Sequence, residues 1–120
     1  MTLLMVTVAG AAGVAARYGI SNAFHGDALP WATVGINVAG SFLLGLLIVM
    51  PLAWVDPQIR VALGVGFLGG FTTFSTFSVQ ALLDFDAGDP ARAFLLIAAS
   101  VVLGLAAAAL GFYGGRAVFS

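Results

Sequence analysis

The chain has 120 residues, of which 62% are hydrophobic and only 8% charged, with a formal net charge of −1 and a mean hydropathy of +1.13. A soluble domain this small needs a polar skin and carries about 25% charged residues, so the composition excludes one and points to a membrane protein. With no cysteine, one histidine and four arginines, the chain has no disulfide framework, no thiol nucleophile, no multi-His metal site of its own and no basic surface for nucleic acid.

A bilayer core needs roughly 20 apolar residues of helix, and four segments supply them, at about residues 2–24, 31–55, 59–83 and 91–119. The fold class expected is therefore an all-α membrane protein, with residues 1–120 forming one domain of four transmembrane helices. The first segment has no basic region before it and leads into further spans, so it reads as a span and not as a signal peptide. Trp31 and Trp54 bracket the second. At helical rise they would lie about 35 Å apart, a reasonable separation for two interfacial aromatic belts. His25-Gly26-Asp27, Pro51 to Pro57 and Asp84 to Pro90 form the links and hold most of the charges.

Small residues recur at helix-packing spacing: Ser41 with Gly45, Gly66 with Gly70, Gly104 with Ala108, and Gly111 with Gly115. In lipid, close backbone approach and dispersion bring helices together, so these positions read as contacts between spans. Arg60 and Arg116 fall near one membrane face, and Arg92 and the deeper Arg17 toward the other. Topology follows Lys/Arg asymmetry. Here it is close to nothing, which predicts dual topology and permits an antiparallel homodimer.

Residues 69–78 read Gly-Gly-Phe-Thr-Thr-Phe-Ser-Thr-Phe-Ser. Paired glycines weaken a helix, and hydroxyls compete for its backbone, so the third span is expected to break near its midpoint. Irregular backbone at that depth needs protein or a polar cavity around it. In an antiparallel dimer two such breaks would meet, and their freed carbonyls could surround a small hard cation. The alternative is a softened helix with every carbonyl satisfied internally. Phe74 and Phe77 share a face, and ring edges turned into a narrow passage attract a small anion. The alternative for them is packing alone. Gly64-Val65-Gly66-Phe67-Leu68-Gly69 fits the dinucleotide fingerprint but sits inside an apolar helix, where that motif has no meaning.

Asn37 lies within the second span, as a bridge between helices or as a pore donor. Ser100 on the fourth span can bond back to its own helix. Arg17 either snorkels or makes a cavity mouth electropositive. No Asp, Glu or His lies deep in a span, so a proton-coupled carrier has no relay, and the donor-rich inventory favours anions. Two other classes fit a tiny four-span protein. A dual-topology small-molecule exporter would need an embedded carboxylate, and a non-transporting structural subunit would not explain the hydroxyl-rich interruption.

Three strings, Gly-Val-Ala-Ala-Arg-Tyr at 13–18, Val-Gly-Ile-Asn-Val-Ala-Gly-Ser-Phe at 34–42 and Gly-Phe-Leu-Gly-Gly-Phe-Thr-Thr-Phe-Ser-Thr-Phe-Ser at 66–78, resemble the Fluc/CrcB family of small fluoride channels. The resemblance covers nearly the whole chain. It implies a non-enzymatic channel of a bacterial or archaeal inner membrane, passing fluoride passively down its electrochemical gradient. It further implies an antiparallel, dual-topology homodimer with two pores, each lined by both subunits. Its implied pore residues are Asn37, Phe74, Phe77, Thr76 and Ser100. Carbonyls of Gly69 and Thr72 from both chains would hold a central structural Na⁺, and Arg17 would stand near an aqueous vestibule. Two positions depart from the family pattern: Gln80 stands where Glu is frequent, and Leu96 where a tyrosine is common.

Overall fold

The computed structural model describes residues 1–24 and 31–120, and the expected His25-Gly26-Asp27 link lies outside them. The described elements are all helical: α1 (Thr2–Ala23), α2 (Trp31–Val49), α3 (Pro57–Val61), a π-helical stretch (Ala62–Leu68), α4 (Gly69–Phe71), α5 (Phe74–Asp86) and α6 (Pro90–Phe119). Four spans are long and apolar enough to cross a membrane, the third assembled from the run Pro57–Asp86.

The second helix stops at Val49, short of residue 55. Met50 bends away, Pro51 brings no N–H, and the Trp54 N–H closes a turn onto the Pro51 carbonyl at 3.0 Å. Trp31 and Trp54 therefore do not sit on one helix, and the spacing expected from helical rise does not apply. Trp54 packs edge-on against Phe119 at the far end of α6, with ring centroids 5.2 Å apart. The carbonyls left at the end of α2 are taken by Arg60, whose guanidinium donates to Leu47 and Met50. A cation at a helix C-terminus also complements the helix dipole.

The third and fourth spans begin alike. Asp56 Oδ1 accepts the Gln58 N–H at 2.9 Å and Asp89 Oδ1 accepts the Arg92 N–H at 3.1 Å, and each Asp is followed by Pro at the first helical position. Proline is harmless there because that N–H would have no helical partner. Gly88, at φ +86°, lets α5 turn directly into α6. Asp84 and Arg92 pair across this turn at 3.3 Å.

Spans pair in parallel by backbone approach at glycine. A methyl on Gly66 would stand 2.7 Å from the Val6 carbonyl oxygen, and one on Gly70 would stand 2.5 Å from that of Gly10. Gly13 abuts the Phe67 carbonyl in the same way. Residue numbers rise together along both chains, so α1 runs beside the third span in the same direction. On the other side Gly45 meets the Ala108 carbonyl, Gly111 that of Phe42, and Gly115 the side chain of Val49, so α2 and α6 are also parallel. These contacts bear out the small-residue reading. A small apolar core of Val34, Ala81 and Leu96, flanked by Val38, Phe77 and Ala99, joins α2, α5 and α6. Leu96 is thus a core residue, the most deeply buried large side chain described. Outward faces carry leucine, valine and phenylalanine throughout, as a surface against lipid tails requires.

Candidate functional site

The third span is interrupted at Thr72 and Thr73, whose backbones are extended (φ −88°, ψ 159° and φ −150°, ψ 122°). The break falls inside the glycine–threonine stretch where it was expected, on the hydroxyl side of it: Gly69 and Gly70 remain helical. Gly70 lies against the backbone of Gly10, where a side chain would not fit. The hydroxyls act as expected. Thr72 Oγ1 donates back to the Leu68 carbonyl at 2.9 Å, and Thr73 Oγ1 accepts the Thr76 N–H at 3.2 Å, capping α5.

Asn37 holds the interruption from the second span. Its Oδ1 accepts the Thr73 N–H at 2.9 Å, and its Nδ2 donates to the Thr73 carbonyl at 3.0 Å. In a continuous helix the Thr73 N–H would serve the Gly69 carbonyl. Turned to Asn37, it leaves that carbonyl without a helical donor. The Gly70 carbonyl, freed by the same interruption, accepts from Arg17 Nε at 3.2 Å. Gly40 of α2 packs against the Thr72 methyl, so α2 lies directly on the break.

Beside the break is an open cleft of about 330 Å³ lined by Asn37, Ser41, Gly69, Thr72, Phe74, Phe77 and Ser100, among others. It gathers six of the eight residues singled out in the sequence. The other two lie apart from it: Thr76 is exposed in the first turn of α5, and Arg17 approaches the break from the α1 side. Phe74 and Phe77 are neighbours, with centroids 5.8 Å apart and planes at 57°. Phe71 lies before the break and stacks instead on Phe67, at 5.8 Å and 14°.

The lining is rich in donors. Asn37 has one N–H left after its two bonds to Thr73. Among the described residues the enclosed Ser100 Oγ has no hydrogen-bond partner, and neither has the acceptor Gln80 Oε1, one turn beyond Phe77 and outside the cleft lining. No group of three His, Cys, Asp or Glu gathers among the described residues. Thr73, Gly40 and Ser41 join this site without having been singled out for it. Thr73 had a local signal, a hydroxyl residue opening an apolar helix, whereas the approach of Gly40 to Thr72 had none.

A family model described as CrcB-like protein, Camphor Resistance (CrcB) matches residues 4–112. The chain is 45% identical over 117 residues to "Fluoride-specific ion channel FluC 1" of Symbiobacterium thermophilum, covering 92% of this chain and 94% of that one. It is 40% identical over 120 residues to "Fluoride-specific ion channel FluC" of Geobacter sulfurreducens, covering 96% and 97%. A protein of the same name from Thermus thermophilus is 39% identical over 119 residues, covering 96% and 95%.

Proposed function

Since the chain belongs to the CrcB family, a multi-pass protein of the bacterial membrane, we propose that it is a fluoride channel whose conducting path runs through the cleft beside the broken third span. Relatives named as fluoride-specific channels match along nearly their whole length. The observation that carries the reading is the Asn37–Thr73 pair, which opens the span at the place where Phe74, Phe77 and Ser100 converge.

Fluoride holds its water tightly, so a narrow path must offer replacement donors. The free Asn37 N–H and the Ser100 hydroxyl are such donors, and the positive edges of Phe74 and Phe77 supply the rest. Each interaction is weak, as release of the ion requires. The inside-negative membrane potential drives the anion outward without coupling to another substrate.

The working unit is an antiparallel dimer with two such paths. Support comes from Phe74, which lines the cleft yet is 79% exposed in the single subunit: a second copy set against it would close the wall. Gly69 is exposed as well, and its carbonyl lacks the helical donor. A structural Na⁺ fits that chemistry, because hard cations prefer oxygen ligands. The Gly69 and Thr72 carbonyls of both copies would hold it, tying the two breaks together. Arg17, bonded to the Gly70 carbonyl, would keep the flanking half-helix in place and add positive potential near the entrance.

The test is efflux from liposomes containing the purified protein. Fluoride release with chloride retained is the expected result. Equal chloride release, or none of either from folded protein, would refute the reading.

A further inference from the structure

Ser41 lies one turn beyond Asn37 on α2 and lines the same cleft. Four residues apart on a helix, the two side chains share a face at levels separated by about 6 Å. Ser41 stands beside Gly104 of α6, where an added methyl would come 3.7 Å from its Oγ. One turn back on α6 from Gly104 is Ser100, at the level of Asn37.

Hydroxyls on helices ordinarily bond back to their own backbone. Thr7 does so to Leu3 at 2.7 Å, and Thr72 to Leu68 at 2.9 Å. Ser41 and Ser100 do not, and among the described residues neither hydroxyl has a partner. Both residues line the cleft with their donors unspent. Their places differ along the path. Phe74 and Phe77 lie on α5, which leads toward the α5–α6 turn, whereas Ser41 stands on α2 between Gly40, which packs on Thr72, and Leu44, which approaches Gly64.

We propose that the Ser41 hydroxyl is an anion-binding station on the α3 side of the break, one helical turn past Asn37. There it takes over a small, partly dehydrated anion as that anion leaves the phenylalanine pair, sharing it with the remaining Asn37 N–H. The station rests on the reading of the chain as a fluoride channel and adds a residue to it.

Liposome efflux of Ser41→Ala and Ser41→Thr, each compared with the unsubstituted protein, tests the station. Ser41→Ala removes the donor without adding bulk, and fluoride efflux should fall about tenfold, the value of one hydrogen bond to a charged group. The fluoride concentration giving half-maximal rate should rise, with dimer size in detergent unchanged. Ser41→Thr keeps the donor and should restore most of the rate. An alanine variant as fast as the parent would overturn the station, as would a threonine variant as slow as alanine, because packing against Gly104 would then explain the effect. Absence of efflux from the parent itself would instead remove the channel reading on which the station stands.

Discussion

Asn37 and Thr73 exchange two hydrogen bonds across the contact between the second and third spans, at 3.0 and 2.9 Å. The side-chain amide presents one donor and one acceptor, as a peptide group would, and so replaces the partners that a continuous helix would have given Thr73. The break is therefore fixed by a residue from another span, and the same residue lines the cleft with one N–H not spent on Thr73. Geometry of the break and chemistry of the path meet in one amide.

Replacing Asn37 with Leu should accordingly do two things at once. Both Thr73 backbone groups lose their partner in a low-dielectric setting, which costs on the order of 1–3 kcal/mol for each group left bare. Thermal unfolding in detergent should shift downward, and fluoride efflux should fall. Asn37→Asp separates the two effects. It keeps an acceptor for the Thr73 N–H but sets a carboxylate against the Thr73 carbonyl and places negative charge beside an anion path. Its flux should drop further than its stability, and a variant that conducts normally would show that Asn37 is only a strut.

The interruption was legible in the sequence, because glycines and hydroxyls cluster from Gly69 to Ser78, but the partner that fixes it was not. Gly69 and Gly70 stay helical. Asn37, 36 residues away in sequence, captures Thr73. Such pairings between spans leave no local signature, and neither does the bond from Arg17 to Gly70. The four spans were legible from hydropathy alone, though the end of the second was not, since Met50 to Val55 is apolar yet turned by Pro51. Ser41 does two things: its spacing from Gly45 suggested helix packing, and it stands beside Gly104 of α6 while also lining the cleft.

Gly45 and Gly35 make a matched pair for testing the packing. Both lie on α2, but a methyl at Gly45 would run into the Ala108 carbonyl, whereas one at Gly35 meets no described residue within 4 Å. Gly45→Ala should force α2 and α6 apart and destabilise the subunit by about 1–3 kcal/mol. Gly35→Ala should be neutral or stabilising by about 0.5–1 kcal/mol, through helix propensity. Denaturation in mixed micelles checks the difference. Equal effects would mean that the α2–α6 contact is looser than the geometry implies.

Sodium dependence tests the proposed role of the Gly69 and Thr72 carbonyls. If a cation joins two breaks, exchanging Na⁺ for a bulky organic cation should lower the dimer's melting temperature and slow its flux, and restored Na⁺ should reverse both. The stabilisation should grow with the logarithm of Na⁺ concentration once that exceeds the dissociation constant, as linkage requires of a ligand bound only by the folded form. A melting temperature indifferent to the cation would leave the freed carbonyls to water or to the second chain.

The ring-edge mechanism depends on Phe74 more than on Phe77. Phe77 is half-buried and packs on the core of Val34, Ala81 and Leu96, so changing it disturbs the fold as well as the path. Phe74 is exposed in the subunit and contacts Phe77 through its ring. Phe74→Ile retains bulk and apolarity but removes the quadrupole whose positive edge would face the anion. Fluoride efflux should fall at least about tenfold, the consequence of losing roughly 1.4 kcal/mol of stabilisation along the path, with melting temperature and dimer size unchanged. Phe74→Tyr keeps the ring and should conduct better than the isoleucine variant. If isoleucine conducts as well as phenylalanine, the side chain serves only to narrow the passage, and the donors of Asn37 and the serines must account for the anion's passage alone.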